Sequence, residues 1–227
     1  MKHRTLEYEV DYIRPDGNPR GQERALVTVH GDGRRTLRTL SEIFESEVLR
    51  DVTYTVDADY RPLEAFVRVT VQDRHLGSAW FRFHDAEVEC ETASADGVRQ
   101  SQSMALDRPA LSFLSHAVAS DVWHGASIRR QPGLGPQMIT PLLTCSPRHD
   151  GSSAPALGSW PLQATYLGTE RVDTVVGPME AEHIRYEEPT GELFLDTWCS
   201  ADGDRILLRM YYPAYGSSYR LRSLRRS

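Results

Sequence analysis

The fold is decided by residues 62–84, whose sequence is PLEAFVRVTVQDRHLGSAWFRFH. From Pro62 to Gln72, and again from Gly77 to His84, apolar side chains occupy every second position. Side chains of a β-strand point alternately to opposite faces, so this period of two predicts two strands. Because the connection between them is short, we expect the two strands to pair antiparallel.

The same alternation extends over most of the chain on both sides of this hairpin. Asp-Gly pairs, which favour tight hairpin turns, separate the alternating runs. These pairs are Asp16-Gly17, Asp32-Gly33, Asp96-Gly97 and Asp202-Gly203. The pattern predicts a mainly β fold with an N-terminal sheet at about 5–103 and a C-terminal sheet at about 163–221. A meander of this length is expected to curl into a barrel or half-barrel.

One short helix is predicted between the two sheets, at about 108–124. Asp107 precedes Pro109 in the manner of an N-cap followed by an early helical proline, and apolar residues then follow at helical spacing. From about 131 to 160 the composition changes to proline, glycine and serine, which predicts an irregular excursion. Since the strands after the excursion form only a thin core alone, we interpret residues 1–227 as a single domain.

Composition and spacing argue against several classes of protein. The net charge is −6, whereas proteins that bind nucleic acids are normally basic. Lysine occurs once, at Lys2, so a Schiff-base or Walker-type lysine has no candidate in the body of the chain. Glycine-rich nucleotide loops and metal-ligand spacings are absent, so we expect no cofactor and no metal. The nearest approach to a metal site is a set of two histidines and a carboxylate, His116, Asp121 and His124.

Three features bear on cellular location. The first residues carry no apolar segment typical of a secretion signal. No run of 18 apolar residues is present to cross a membrane. Cys90, Cys145 and Cys199 are isolated and odd in number, which favours reduced thiols over a disulfide framework. We therefore expect a cytoplasmic protein without a membrane partner.

Several predicted strands have one aliphatic face and one face on which aromatic residues alternate with Arg, His and Asp. Such a mixed face is typical of a ligand pocket with an apolar body and a few polar anchors. The residues of these faces that we assign to substrate binding are Arg68, Trp80, Arg82, His84, Arg185, Asp196, Trp198, Arg209 and Tyr211. Two alternatives are a homodimer interface that uses Trp80 or Trp198, and an ordinary solvent-exposed face.

The predicted helix supplies the candidates for acid–base chemistry. His116 lies at the edge of its apolar stripe, and a helix laid across a curved sheet directs that edge toward the concave face. Because imidazole titrates near neutral pH, we predict His116 or His183 as the general base. Asp121 is a candidate for fixing a histidine tautomer, and Tyr166 is a candidate for relaying a proton. Two further substrate-binding candidates on the predicted helix are Trp123 and His124.

A family resemblance is carried by the C-terminal third of the chain. The residues that carry it are Tyr166-Leu167-Gly168-Thr169-Glu170, His183, Asp196-Thr197-Trp198 and Leu207-Leu208-Arg209. In these residues the chain resembles bacterial uncharacterised families of the DUF3108 kind, which run antiparallel strands with a glycine-containing turn before a D-x-W-like strand. The resemblance implies a curved sheet or a lipocalin-like half-barrel, and it transfers no catalytic residue. Those families are generally exported, so their location differs from the one expected for this chain.

Two functions are consistent with these residues. The first is a cofactor-independent enzyme of the lyase, isomerase or hydratase type, which acts by acid–base catalysis on a small aromatic or amphiphilic molecule in a β-barrel pocket. In that case the arginines stabilise a phenolate, enolate or carboxylate. The alternative is a non-catalytic binding or carrier protein for an acidic hydrophobic ligand, whose head group the same arginines hold. A homo-oligomer built through the aromatic faces is a third hypothesis.

Overall fold

The computed structural model of this protein describes residues 3–191 and 194–227. Residues 1, 2, 192 and 193 lie outside the described residues, and they include Lys2 and two positions of the predicted C-terminal sheet. Over the described residues the structure confirms a mainly β fold with a large antiparallel sheet and one short α-helix.

The described residues form seventeen strands. Their bounds are β1 (Arg4–Ile13), β2 (Pro19–Val29), β3 (Arg35–Ile43), β4 (Val48–Val56), β5 (Pro62–Val71), β6 (Arg74–Phe83), β7 (Glu87–Ser94), β8 (Arg99–Ala105), β9 (Ser112–Leu114), β10 (Gln137–Ile139), β11 (Leu142–Thr144), β12 (Gly158–Ser159), β13 (Leu162–Thr174), β14 (Gly177–Glu187), β15 (Phe194–Ser200), β16 (Leu207–Tyr212) and β17 (Ser217–Arg226).

The large sheet joins the two predicted sheets into one. Its spatial order is β10-β13-β14-β15-β16-β17-β1-β2-β3-β4-β5-β6-β7-β8, and β9, β11 and β12 form a separate small sheet. The junction is the antiparallel pairing of β1 with β17, in which Tyr12 lies opposite Tyr219. This pairing carries β17 to Arg226, beyond the predicted end of the C-terminal sheet. The described residues contain no pairing between β8 and β10, which are the two edges of the sheet.

One face of the sheet is buried beneath residues 106–160. On β5, for example, Val67 and Val69 are buried while Arg68 lies exposed on the opposite face. In the structure the excursion is this whole segment, 106–160, and is longer than the predicted 131–160. The ring of its residue Phe113 packs against that of Phe81 on β6 at a centroid distance of 4.9 Å. The predicted alternation of the strands therefore places the core between the sheet and this long connection.

The predicted helix at 108–124 is wrong in its extent. The α-helix of the described residues, α1, spans only Val118–Asp121, and a 3-10 helix spans His124–Ser127. Residues 112–114 instead form β9, which pairs in parallel with β11, so hydrogen bonds across strands replace those of a helix. His116 then has a φ of 59°, which interrupts any helix at that point. A second 3-10 helix spans Pro213–Tyr215.

No helix in the described part of the chain is long and apolar enough to cross a membrane.

Candidate functional site

A cavity of about 150 Å³ lies between the buried face of the sheet and residues 114–124 of the excursion. Its aromatic lining consists of Tyr12, Trp160, Tyr186, Tyr212, Tyr215, Tyr219 and Phe194. Its ionisable lining, besides three histidines, consists of Arg20, Arg50, Asp121, Asp150, Glu187 and Glu188. The cavity therefore combines an apolar body with a small number of charged groups, as ligand sites do.

Arg50 is the most deeply buried charged side chain of this lining, with 2% of its surface exposed. Its Nη1 donates to the carbonyl oxygen of His116 at 2.5 Å, and its Nη2 donates to the carbonyl oxygen of Asp150 at 2.7 Å. Its Nε has no hydrogen-bond partner. In residues 3–191 and 194–227 the guanidinium forms no ion pair with a carboxylate, so no opposite charge is in direct contact with Arg50.

His116 lies beside Arg50 and is half-buried. Its Nε2 is 3.3 Å from the hydroxyl of Thr144, and its ring also hydrogen-bonds the main chain of His149. Burial, and then the positive charge of Arg50, lower the pKa of His116 to about 3. The imidazole is therefore neutral at physiological pH and a weak base, which does not favour the predicted role of general base.

His124 is the second buried histidine of the cavity. Its Nδ1 lies 2.6 Å from the hydroxyl of Ser112, and its Nε2 has no hydrogen-bond partner but lies 3.6 Å from a carboxylate oxygen of Asp121. These three residues resemble a Ser-His-Asp array. The serine, however, contacts the histidine through Nδ1 and is buried away from the cavity, so it is not placed to act as a nucleophile.

Glu23 joins α1, which forms part of the cavity wall, to the sheet. Its fully buried carboxylate accepts hydrogen bonds from the hydroxyls of Tyr12 and Ser41 at 3.0 and 2.5 Å. It also accepts the main-chain N–H groups of Val118 and Ala119 at the start of α1, at 3.0 and 2.8 Å. Burial raises the pKa of Glu23, although its hydrogen-bond donors act in the opposite direction.

The tyrosines of the cavity are held by contacts within the protein. The Tyr186 hydroxyl accepts the main-chain N–H of Gly125 at 2.8 Å, and the Tyr219 hydroxyl accepts a hydrogen bond from Arg20 at 3.3 Å. Burial raises the pKa of Tyr186, and it raises the pKa of Tyr219 to about 12. These phenols therefore stay neutral at physiological pH, where they offer hydrogen bonds rather than charge.

The cavity brings together three of the predicted site residues, which are His116, Asp121 and His124. Trp123 does not line it. Its ring is buried in the core against Tyr54 and Tyr60, at centroid distances of 5.7 and 5.5 Å. The main chain turns at this point from α1 into the 3-10 helix. Trp123 therefore points into the core, while His124 lines the cavity.

Six predicted residues lie together on the opposite face of the sheet. These are His183, Arg185, Asp196, Trp198, Arg209 and Tyr211, and they alternate along β14, β15 and β16 with residues that line the cavity. Asp196 receives two hydrogen bonds from Arg185, both at 3.0 Å, and lies 3.3 Å from Nε2 of His183. These six residues therefore share a face, and none of them lines the cavity. Glu187 and Phe194, which continue the same face at one end of β14 and β15, do line it.

The His183 ring is the centre of this outer cluster. It stacks on Trp198 at a centroid distance of 4.2 Å, and the guanidinium of Arg209 lies over the same indole at 4.7 Å. Glu170 accepts a hydrogen bond from the indole of Trp198 and lies 3.5 Å from Nδ1 of His183. The polar groups of His183 thus contact two carboxylates of the protein, an arrangement that orders the sheet surface.

The other predicted strand residues also face away from the cavity. Trp80 is 46% exposed, and Arg82 stacks on its indole at 5.0 Å. Arg82 and His84 both lie within ion-pair distance of Glu89, at 3.1 and 3.5 Å. Arg68 stacks over Phe66, which lies two positions before it on the same strand, β5. This face has the exposure that the interface hypothesis requires, and the interface stays a prediction.

Tyr166 belongs to a second apolar cluster around Ile139 and Ile184. Its hydroxyl is 2.7 Å from that of Thr169, and it does not line the cavity. The cavity is lined by other tyrosines, among them Tyr12, Tyr186 and Tyr219, which the sequence analysis did not identify.

The sequence analysis missed Arg50 and Glu23, although each leaves a signal. Arg50 falls in the inward series Val48, Arg50, Val52 of β4, and Glu23 precedes the inward Ala25 of β2. A charged residue at an apolar position of an alternating strand indicates a buried polar site, because burying a charge without compensation is unfavourable. Arg50 and Glu23 are each a single charge on an otherwise aliphatic face, so neither belongs to a face of alternating aromatic and polar residues.

No group of three or more His, Cys, Asp or Glu side chains in the described residues is arranged to hold a metal ion. The weaker alternative of a site at His116, Asp121 and His124 therefore receives no geometric support. The three cysteines are buried free thiols, and burial raises the pKa of Cys90 and Cys145 to about 12.

Comparison with solved structures finds chains of similar fold. One of them is a crystal structure, at 2.70 Å resolution, of a putative lipoprotein from Parabacteroides distasonis ATCC 8503. The TM-score is 0.42 at 9% sequence identity, over 97% of this chain and 94% of that chain. No family model matches the sequence. No curated protein matches it either.

Proposed function

We propose that this protein binds a small amphiphilic molecule in the cavity between the sheet and residues 114–124. The single observation that carries this proposal is the pairing of a largely apolar, tyrosine-rich lining with two buried polar atoms that lack partners. These atoms are Nε of Arg50 and Nε2 of His124. Buried polar groups in native proteins are normally hydrogen-bonded, so two unpaired nitrogens at one cavity favour a missing partner.

The volume of the cavity limits the ligand. A cavity of about 150 Å³ holds a molecule about the size of benzene. The ligand class is therefore a compound with one aromatic ring or a short aliphatic chain, with a polar end near Arg50 and His124. This size fits the small aromatic or amphiphilic molecule expected from the sequence.

We propose that the large sheet is curled and encloses the cavity. A flat sheet of fourteen strands would be roughly 60 Å wide at the usual strand spacing. Yet residues 106–160 contact it on both sides of the β1–β17 junction, since Phe113 packs on Phe81 while Ile139 packs in the cluster around Tyr186. These contacts support a lipocalin-like half-barrel that wraps around the excursion and leaves the cavity at its centre.

A catalytic function is the second candidate, and one observation favours it. His124 presents an unpartnered Nε2 to the cavity beside the carboxylate of Asp121, while Ser112 engages its Nδ1. A histidine held in this way can exchange a proton with a bound molecule, as lyase or isomerase chemistry requires. Of the histidines considered, we propose His124 as the acid–base group, in place of His116 and His183.

Binding is tested by ligand screening with fluorescence and thermal denaturation. Trp160 lines the cavity, so compounds with one aromatic ring or a chain of about six to eight carbons are expected to change its emission and raise the Tm. Val118→Phe fills the cavity and should abolish both effects. Val98→Phe, at an exposed turn position, is the matched control and should leave both unchanged. A full panel that shifts neither signal contradicts the binding function.

The two candidate functions differ in the effect of His124→Gln. For a carrier, the wild type should form no product, and the variant should lose only the affinity supplied by the hydrogen bond from Nε2, about tenfold or less. For an enzyme, the variant should still bind but lose turnover of that compound, because its acid–base group has been removed. Product formation by the wild type, followed by mass spectrometry, is the measurement that decides between them.

Location and self-association enter this proposal as expectations from sequence. Three buried thiols fit a reducing compartment such as the cytoplasm. Exposed Trp80 fits a homodimer contact, and Trp80→Ser should then lower the mass measured in solution by light scattering. Trp198 is 9% exposed and is therefore a weaker candidate for that contact.

A further inference from the structure

We propose that the ligand of this cavity is a carboxylic acid, bound as its carboxylate, with Arg50 as the counter-charge. The inference rests on the proposed binding function and specifies its ligand class. It follows from the distribution of charge around the cavity, from the unpartnered nitrogen atoms of its lining, and from its size.

The charge of Arg50 sets the sign of the ligand. A guanidinium stays protonated in proteins, so Arg50 is a cation that is 98% buried. Its hydrogen-bond partners are two main-chain carbonyl oxygens, which carry no net charge. Buried charges are normally paired with an opposite charge, because an unpaired ion loses its hydration without compensation. An anion in the cavity would supply that pairing.

The other cation of the lining does not need a ligand anion. Arg20 donates through Nε to the carboxylate of Glu45 at 2.5 Å, and its Nη1 bonds the hydroxyls of Ser217 and Tyr219. His116 adds no charge at neutral pH, because burial and the positive charge of Arg50 lower its pKa to about 3. Of the two arginines of the lining, Arg50 is thus the one without an ion-pair partner among the described residues, and its single charge matches a monoanion.

The carboxylates of the lining argue against a more highly charged ligand. Asp121 lies beside His124, and Asp150 accepts two hydrogen bonds from Ser152, at 3.0 and 2.7 Å. Glu187 is the last residue of β14 and Glu188 follows it, and both are half-exposed, whereas Arg50 is buried. These four carboxylates would repel a phosphate dianion more strongly than a carboxylate, because the dianion carries twice the charge. A carboxylate is also smaller.

The unpartnered nitrogens suit the two oxygens of a carboxylate. Nε of Arg50 is a donor, and Nε2 of His124 is a donor whenever its proton lies on that atom. The hydroxyl of Ser112 favours that tautomer when it donates to Nδ1. A carboxylate is acceptor-only and so complements two donors, while a primary amide presents one acceptor and one donor group.

A purely structural role for Arg50 makes a different prediction. Its two hydrogen bonds tie His116 and Asp150, which belong to separate loops of the excursion, to β4. If that were its whole role, the cavity would bind a neutral compound as well as the corresponding acid. The comparison of an acid with its amide therefore separates the two interpretations without any substitution.

The experiment measures the affinity of the wild-type protein for matched probes by isothermal titration calorimetry. The probes are phenylacetate, 3-phenylpropionate and hexanoate, each compared with its primary amide, together with phenethylamine as a cationic probe. At least one acid should bind about ten- to a hundredfold more tightly than its amide, as expected for a charge-assisted hydrogen bond. Phenethylamine should bind more weakly than the acids.

The outcomes separate this inference from the proposed function. If amides bind as tightly as acids, or the amine binds best, the carboxylate inference is overturned while the binding function stands. If no probe of any charge binds, the binding function itself is overturned. Arg50→Gln should remove the preference for the acid, and Arg50→Lys should retain part of it. Arg68→Gln, which removes an exposed arginine on the opposite face, is the matched control and should leave the preference unchanged.

An acid preference that persists in folded Arg50→Gln would overturn the assignment of Arg50. Folding of each variant is checked by circular dichroism before titration. If Arg50→Gln does not fold, the wild-type comparison of acid and amide decides the ligand class, and folded Arg50→Lys decides the residue. In that variant an unchanged affinity ratio for every pair of probes contradicts a role for the guanidinium.

Discussion

The carboxylate of Glu23 accepts the main-chain N–H of Ala119 at 2.8 Å, although 96 positions separate the two residues in the sequence. This contact joins β2 to the start of α1, and α1 forms part of the cavity wall. The same carboxylate accepts the N–H of Val118 and the hydroxyl of Tyr12, and both of these residues line the cavity. One buried acid thus positions α1 and the sheet relative to each other.

We expect Glu23→Gln to lower the free energy of unfolding by about 1–3 kcal/mol at pH 7, because the amide presents a donor where the carboxylate accepts. Glu23→Ala, which removes all four contacts, should lower it by at least about 3 kcal/mol. Urea denaturation gives both values. Glu42→Gln on the neighbouring strand, at a half-exposed position, is the control and should change stability by less than about 1 kcal/mol.

The pH dependence of this effect has a defined sign. Because burial raises the pKa of Glu23 above its value in the unfolded chain, the folded protein binds the proton more tightly. The contribution of Glu23 is therefore greatest below the unfolded pKa, near 4.3, and declines as the pH rises through the folded pKa. The stability of the wild type minus that of Glu23→Gln should shrink from pH 4 to pH 7. A difference that grows over this interval contradicts the raised pKa.

His116 predicts the opposite dependence on pH. Its pKa is lowered to about 3 in the folded protein, against about 6.5 in an unfolded chain. The folded state then binds fewer protons, so stability is fully present above pH 6.5 and is lost as the pH falls toward 3. The wild type should lose up to about 3 kcal/mol between pH 7 and pH 4 relative to His116→Asn.

Asparagine suits the test at this position because it tolerates a positive φ better than most residues. Urea denaturation at a series of pH values gives the comparison. His84→Asn, at an exposed position, is the control and should follow the wild-type profile. Parallel profiles for the wild type and His116→Asn would show that His116 titrates normally, against this account.

Gly151 is required where the excursion approaches Arg50. Its φ is +63°, and a Cβ there would lie 2.5 Å from Nη2 of Arg50 and 2.8 Å from Cβ of His116. Gly151→Ala should therefore lower the free energy of unfolding by about 2–4 kcal/mol, from backbone strain together with the displacement of these groups. It should also weaken the binding of any cavity ligand, since it displaces Arg50.

Gly133→Ala is the matched control for this substitution. Gly133 lies in the same excursion with a φ of +81°, but a Cβ there would meet no atom within 4 Å. Gly133→Ala should therefore lower the free energy of unfolding only by the cost of a positive φ at a residue with a side chain, about 1–2 kcal/mol. Thermal denaturation of the two variants gives the difference, and equal losses would show that the contact with Arg50 is not tight.

Much of the sheet could be predicted from sequence because its determinants are local. Alternation in residues 62–84 and the Asp-Gly turns specify neighbouring strands without knowledge of the rest of the fold. The helix at 108–124 was overpredicted because residues 112–114 find a partner in β11, about thirty positions later. Helical spacing of apolar residues reports only that they are buried, and a packed irregular segment buries them equally well.

The cavity was harder to predict because its residues come from distant strands. His116, Asp121 and His124 were identified from their chemistry and from their position near the predicted helix. Arg50 was missed because it belongs to an aliphatic face, where a single charge carries little weight in a search for polar patterns. The composition of the outer cluster suggested a pocket, but its polar groups contact the protein itself. Arg185 pairs with Asp196, and Arg209 lies over the indole of Trp198.

The outer cluster supplies a prediction that separates the two faces of the sheet. Asp196, whose side chain is 11% exposed, joins Arg185 and His183, whereas the side chain of Glu170 is 53% exposed at the edge of the cluster. Asp196→Asn should lower the free energy of unfolding by about 2–3 kcal/mol, because it weakens two charge-assisted hydrogen bonds at a buried position. Glu170→Gln should lower it by less than about 1 kcal/mol.

Neither substitution should change ligand affinity, because both residues lie on the face opposite the cavity. Calorimetric titration of the folded variants with a compound that binds the wild type gives this comparison. A loss of affinity in Asp196→Asn, without a matching loss in Glu170→Gln, would place the ligand on the outer face. In that case the arginines predicted from sequence, Arg185 and Arg209, would replace Arg50 as the candidates for its head group.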